Sequence, residues 1–436
     1  MKHLKLLVSF AIVVAIAAAC APAPAPAPAP AAKETVVVKE TVVVQQPAAP
    51  VTPGGRLINI AVQFDLTGFY APVVRNAFRA VNDYVAEVNS KGGIDGVRVN
   101  LLWADHGLSI QRAQAVYKRF ADEKPKPLFL QTAWSGENEA LKDSFAKDQI
   151  SVLGSGLSPK SVSPAGYIFL VLPDYASQFA FFMEYVNKEW KDTTRRPKIA
   201  FLTWQGAYGE GMLTDQTKAH AKKLNIELAD PVFFSLAPTD TTAELQRVAA
   251  LKPDYVWSNT LPAQFAVALK DAKRLNLNLQ FAGVQWLTLE EIFDNAGETV
   301  DGMIAVRTFA LGDETNLPGV KAIQDAQTKY HGAFVPNTFN TYALGWLGTQ
   351  VGIDAIRAAM KKVGYDKLTS QNVYEELIAL KNYDTGGLSR PLTFDAKERR
   401  GTLEARIVKA VWDKDKKVGK WTALTDWSKV PDMLPP

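Results

Sequence analysis

Between residues 57 and 105 the chain runs from a β-branched segment through an amphipathic stretch to a second β-rich segment, and few folds accept that order. Ile58, Ile60 and Val62 are spaced as a buried strand requires. Asp65-Leu66-Thr67-Gly68 breaks the run. Over 76–89, Ala77, Val81, Tyr84, Val85 and Val88 recur at helical spacing. Lys91-Gly92-Gly93-Ile94-Asp95-Gly96 cannot continue a helix and supplies a turn that tolerates positive φ. Val97, Val99, Leu101 and Trp103 then begin the next strand. Strands joined through a helix in this way lie parallel, with a right-handed crossover. Ligands of such sheets sit beyond the carboxyl ends of the strands, so the corner at 65–70, with Asp65 and Tyr70, is the first place to look for function.

The alternation continues along the chain. Helices are expected over 111–121, 137–147, 174–190, 210–224, 241–251 and 263–275. Strands are expected over 128–131, 150–153, 167–172, 198–204, 231–234, 255–258, 280–283 and 303–306. Helices dominate 319–360 and return at 370–380, and strand-like runs at 392–394 and 405–412 close the body. Two series of about five units predict an α/β protein of two doubly wound, Rossmann-like lobes with a ligand cleft between them.

Composition narrows the function. The formal charge of +4 includes Lys2, Lys5 and Lys33, which lie outside the globular part, and there is no basic stripe, so nucleic acid is not an expected partner. Cys20 is the single cysteine and the four histidines are far apart, which leaves no disulfide, no metal-ligand spacing and no expected cofactor. Ser135 does not sit in a nucleophile elbow, because Ala133 and Glu137 occupy the glycine places. The glycine-rich corner Trp204-Gln205-Gly206-Ala207-Tyr208-Gly209-Glu210-Gly211 lacks the Gly-Lys-Ser/Thr ending of a phosphate loop. Glu290-Glu291 reads as a solvated helix start. No catalytic activity is expected.

The front of the chain is an address. Lys2, His3 and Lys5 precede an apolar run over 6–19 that ends Ala17-Ala18-Ala19-Cys20, the pattern of a secretory signal over residues 1–20. The run is short for a membrane span; an uncleaved anchor helix is the alternative. A cysteine directly after small residues resembles the lipobox of bacterial lipoproteins, although Ala17 stands where that motif usually has leucine. The resemblance implies that Cys20 carries a lipid anchor to the membrane. Ala-Pro alternation to Ala32 and the tandem Lys-Glu-Thr-Val-Val-Val at 33–38 and 39–44 make residues 21–55 an extended tether.

Several strand ends carry polar or aromatic corners. Ser135, beside Trp134 at a helix start, either caps that helix or completes an anion cradle with its free N–H groups. Gly154-Ser155-Gly156-Leu157-Ser158-Pro159 repeats the pattern after the next strand. Tyr208 is placed to close over a ligand, Gln285 and Trp286 follow another strand, and Trp134, Trp204 and Trp286 together suggest an aromatic pocket. Asp174 is an expected N-cap.

The stretches AVQFDLTGFYAP, NDYVAEVNSKGGIDGVRVNLLWAD, AYGEG and QFAG give the chain a resemblance, over roughly 57–427, to the leucine/isoleucine/valine-binding protein family. These are type I periplasmic solute-binding proteins of ABC transporters. The resemblance implies lobes joined by crossovers near Pro173, Thr308 and Pro391, with lobe 1 at 56–173 plus 309–390 and lobe 2 at 174–308 plus 391–430, closing by hinge motion. It implies that Tyr70 meets the ligand, that Ser135, Ser158 and the Gly156 backbone hold its α-carboxylate, and that Tyr208 closes the site. Gln285 falls where amino-acid binders place a glutamate for the ligand ammonium. A buried ammonium without an anion costs several kcal/mol, so either Asp65, Glu137 or Asp174 takes over or the ligand has no ammonium. The expected protein is a monomeric, extracytoplasmic, lipid-anchored receptor that passes an amino-acid-like solute, branched-chain or a related neutral or aromatic compound, to an ABC permease. The alternative is a sensor of the same fold, an amide or aromatic-acid receptor that signals to a regulatory partner.

Overall fold

The computed structural model describes residues 55–435, so Cys20 and nearly all of the tether lie outside the described part. The first sheet contains β1 (Leu57–Phe64), β2 (Arg98–Asp105), β3 (Phe129–Thr132), β4 (Ser151–Gly154) and β5 (Ile168–Leu170). Its order is β2-β1-β3-β4-β5 and every pairing is parallel. β1 is buried along all but its first residue, because helices cover both faces of the sheet; this is why its sequence is apolar without a two-residue alternation.

The second sheet contains β6 (Lys198–Thr203), β7 (Glu227–Phe233), β8 (Tyr255–Ser258), β9 (Phe281–Gly283) and β10 (Ile304–Arg307) in the order β7-β6-β8-β9-β10, also parallel. β11 (Glu404–Asp413) runs antiparallel beside β10, β12 (Val418–Ala423) returns antiparallel to β11, and β13 (Ser428–Lys429) pairs with β11. Strand order reverses between β1 and β3 and again between β6 and β8. Those two reversals are where a parallel sheet opens a crevice at its carboxyl edge.

The helix Ala71–Ser90 starts a turn earlier than its apolar spacing suggests, because Pro72 fits the first turn, where its missing N–H costs nothing. It buries Ala77, Val81, Val85 and Val88. The long helix Phe339–Val363 crosses it so closely at Gly345 that a Cβ there would collide with the backbone of Ala77.

Some expected elements differ. The helix expected over 210–224 is divided into a turn at Gly206–Gly209 and a helix at Asp215–Lys223. Thr214 forces the new start: its hydroxyl accepts from Thr217 N at 3.1 Å and Thr217 Oγ1 accepts from Thr214 N at 3.0 Å, a reciprocal cap. The strand expected over 392–394 does not form; Leu392 makes an isolated bridge to Tyr383. Arg399 O accepts from Leu170 N at 2.8 Å and Gly401 N donates to Leu170 O at 2.7 Å, so this segment flanks β5 before the chain enters β11. β12 was not anticipated; it is an edge strand in which only Trp421 is buried, so it carries almost no apolar signal.

Asp174 marks the exit from the first sheet. It caps the helix Tyr175–Glu189, whose Phe179 and Phe182 pack on Trp257 of β8 with ring centroids 5.1 and 4.9 Å apart.

Candidate ligand site

The corner after β1 is shaped by Asp65, whose carboxylate accepts from Gly68 N at 2.6 Å and Tyr70 N at 2.7 Å. This turn projects Phe69 and Tyr70 toward the second sheet. The Phe69 ring meets Trp204 edge-on at 5.0 Å and Tyr70 meets Tyr208 edge-on at 6.5 Å. The corner after β6 supplies those partners. Tyr208 Oη donates to Thr260 O at 2.5 Å, and Asn259 Nδ2 donates to Tyr208 O at 3.0 Å. Tyr175, the first residue after the Asp174 cap, places its ring 5.1 Å from Tyr208, and its Oη accepts from Trp286 Nε1 at 3.0 Å.

These corners surround a cavity between the ends of the two sheets. Its wall comprises Tyr70, Val73, Val74, Ala77, Ala133, Ser135, Ser155, Tyr175, Tyr208, Leu261, Trp286, Thr341 and Leu344. No charged side chain is among them. Burial pushes the Tyr175 phenol up to about 12 and raises Tyr70 and Tyr208 further, so all three remain O–H groups. Ser135 Oγ is buried with no hydrogen-bond partner of ordinary geometry, although it lies close enough to the Tyr175 phenol to offset part of the effect of burial there. The first backbone bond of the helix Ser135–Asp148 is Asn138 N to Trp134 O, at 3.0 Å, so the preceding N–H groups have no intrahelical acceptor. That corner therefore offers donors to an anionic or carbonyl oxygen.

The structure brings Tyr70, Ser135, Tyr208 and Trp286 together on the wall and gives the other expected residues different surroundings. Trp134 stacks on His106 at 5.9 Å. Gly156 lies against the backbone of Ser135, leaving no room for a Cβ, and its carbonyl accepts from Asn138 Nδ2 at 3.2 Å. Ser158 starts the turn Pro159–Val162 and donates to Glu139, while Ser155 lines the cavity. Gln285 is fully buried: Oε1 accepts from Thr308 N at 2.7 Å and Thr308 Oγ1 at 2.8 Å, and Nε2 donates to Asn340 Oδ1 at 3.2 Å. Of the expected aromatic trio, Trp286 alone lines the cavity, and Trp204 is buried behind Phe69 and Tyr208.

The acids considered for an ammonium are all engaged elsewhere. Asp65 holds its own turn. Glu137 accepts from Gln63 and faces His106 Nε2 at 3.4 Å. Asp174 accepts from Ser177 N at 3.0 Å and pairs with Arg400 at 2.7 Å. Burial opposes the charging of His106, but Glu137, Asp65 and Asp105 outweigh it and raise its pKa. Glu290 is not a solvated helix start: it pairs with the fully buried Arg307 at 2.8 Å.

Sequence reasoning missed Tyr175, Leu261, Thr341 and Leu344, and from the corner at 154–159 it chose Gly156 and Ser158 where Ser155 is on the wall. Tyr175 had a signal, its position directly after a cap at a crossover. Thr341 and Leu344 had none, since they share helical spacing with the core residues of the same helix. Among the described residues no group of His, Cys, Asp or Glu is placed to hold a metal, and no helix is long and apolar enough to cross a membrane.

The family profile described as periplasmic binding protein matches residues 57–417. The Leu/Ile/Val-binding protein of Escherichia coli (strain K12) is 22% identical over 337 residues, which are 76% of this chain and 89% of that protein. A branched chain amino acid ABC transporter protein from Thermus thermophilus, solved with bound valine, superposes with a TM-score of 0.78 at 21% identity, over 86% of this chain and 97% of that one. A fatty acid ABC transporter substrate-binding protein from Thermomonospora curvata superposes with a TM-score of 0.76 at 20% identity, over 88% and 96%.

Proposed function

The chain belongs to the type I periplasmic binding protein family, and on that premise we propose that it captures a small apolar solute between its two lobes and delivers it to an ABC permease. The observation that carries this reading is the cavity wall, aromatic and aliphatic with hydroxyls at one corner and no charged side chain. Such a wall favours a ligand with a carboxylate or amide head and an apolar body, and disfavours an ammonium, which would be buried unpaired. Ser135, Ser155 and the free N–H groups hold the head; Tyr70, Tyr208 and Trp286 enclose the body. Trp134, Gly156, Ser158 and Asp65 shape the corners, and Asp174 and Gln285 brace the crossovers. One neighbour in fold is named for fatty acids and another holds valine; the uncharged wall favours the first kind of ligand.

Lobe 1 in this reading takes 56–173 plus 309–401 and lobe 2 takes 174–308 plus 402–430, because Gly401 still pairs with Leu170. The protein acts outside the cytoplasm, bound to a membrane through lipid on Cys20, with residues 21–55 as spacer. It catalyses no reaction.

The test is a thermal-shift panel comparing leucine and valine with their deaminated acids, the matching amides and phenylacetate. Binding raises the melting temperature by mass action. Deaminated acids should shift wild type by several degrees and Ser135→Ala by much less. A clear response to leucine or valine overturns the ammonium-free reading.

A further inference from the structure

Behind the cavity lies a second, narrower void. Ala77, Ser155 and Leu344 line both. From that shared rim the chamber passes under the helix Phe339–Val363 to the carboxyl ends of β3 and β4, where Gln131, Gly154 and Gly348 bound it. We infer that this chamber is a tail compartment of the ligand site, and that Gly348 and Gln131 limit how long an unbranched aliphatic carboxylate the protein accepts. The inference rests on the cavity being the ligand site.

Gly348 is the informative residue. A glycine inside a helix is unfavourable relative to alanine and usually has a packing reason. Gly345, one turn earlier, has that reason in the backbone of Ala77. At Gly348 the nearest contacts are to a side chain instead. The three atoms nearest to an added Cβ all belong to the Gln131 side chain, with Oε1 at 3.2 Å and Cδ at 3.4 Å. The missing side chain thus keeps chamber space open rather than relieving a helix crossing. Gln131 is held as the floor, because its Nε2 donates to Thr349 Oγ1 at 2.7 Å. Phe64, Leu153, Val171 and Leu344 make the remaining wall apolar, which suits methylene groups. Ser155 lines both voids, so a carboxylate held by Ser135 and Ser155 would direct its tail past Ala77 and Leu344.

The test is titration calorimetry on the purified protein with butanoate, hexanoate, octanoate and decanoate. In wild type the affinity should rise by about fourfold for each methylene that enters the chamber, and then level off. Gly348→Ala should bring the plateau forward, and Gly348→Leu should remove the gain beyond the shortest acids that bind. Val171→Leu fills the chamber from the sheet side and should do the same if the helix variants fold poorly. Affinity independent of chain length, or the same length profile in a folded Gly348→Leu or Val171→Leu protein, overturns the inference. So does binding of branched or aromatic acids with no straight-chain acid bound, which spares the ligand-site reading. If none of these acids binds, and the branched and aromatic acids and amides of the panel fail as well, both fall together.

Discussion

Arg400 and Asp174 form a fully buried ion pair at 2.7 Å that ties the segment leaving the first sheet to the segment entering β11. The guanidinium also donates to Ser177 Oγ at 3.1 Å, and pairs with Glu398 at 2.7 Å and Asp432 at 2.9 Å. A charge buried at this junction is tolerable only because its partners surround it.

Arg400→Ala should therefore destabilise the protein by about 3–5 kcal/mol, since it strands the Asp174 carboxylate in the interior. Adding Asp174→Asn to Arg400→Ala should recover part of that loss. Urea unfolding of the single and double variants measures both. A single variant within 1 kcal/mol of wild type would remove the pair from any structural role.

Tyr208 contributes a ring and a hydroxyl in different ways. Its O–H is already satisfied by Thr260 O, so Tyr208→Phe leaves that buried carbonyl short of a donor and should cost about 1–2 kcal/mol. Ligand affinity should fall less than tenfold. Tyr208→Ala removes the wall itself and should abolish the ligand-induced thermal shift. Equal ligand losses in the two variants would mean that the hydroxyl, not the ring, meets the solute.

Burial, with Glu290 and Asp294 adding to it, pushes the Glu291 carboxyl up to about 7. A carboxyl raised in the folded state favours folding only as the neutral acid. Below about pH 4.5 both states are protonated and the group is neutral to stability; stability is lost as pH rises toward 7 and the loss is complete above it. Glu291→Gln should therefore match wild type near pH 4.5 and exceed it by about 1–2 kcal/mol at pH 8. Denaturant titrations at the two pH values decide it, and a variant less stable than wild type at pH 8 refutes the assignment.

The frame was legible because burial on both faces of a parallel sheet writes itself as apolar runs: Ile58 to Val62, and the helical spacing from Ala77 to Val88, led directly to β1 and its helix. β12 was not, because an edge strand buries little. Asp65 was readable as part of the corner after the first strand, and its bonds to Gly68 and Tyr70 show it bracing that turn. The cavity was only half legible. Tyr70, Ser135 and Tyr208 announce themselves at strand ends, whereas Leu344 reaches the wall through a helix crossing far away in sequence, and nothing local marks it.

Both sheets repeat the order in which the second strand lies outside the first, and both therefore deliver a reversal to the same place. The position of the cavity is set by this doubled wiring, while its chemistry is set by a few corner residues that the wiring does not need. Substitution at those corners alters the cavity wall without touching either core. The frame and the lining of the cavity are thus independent parts of the molecule, one fixed by strand order and the other by a handful of side chains.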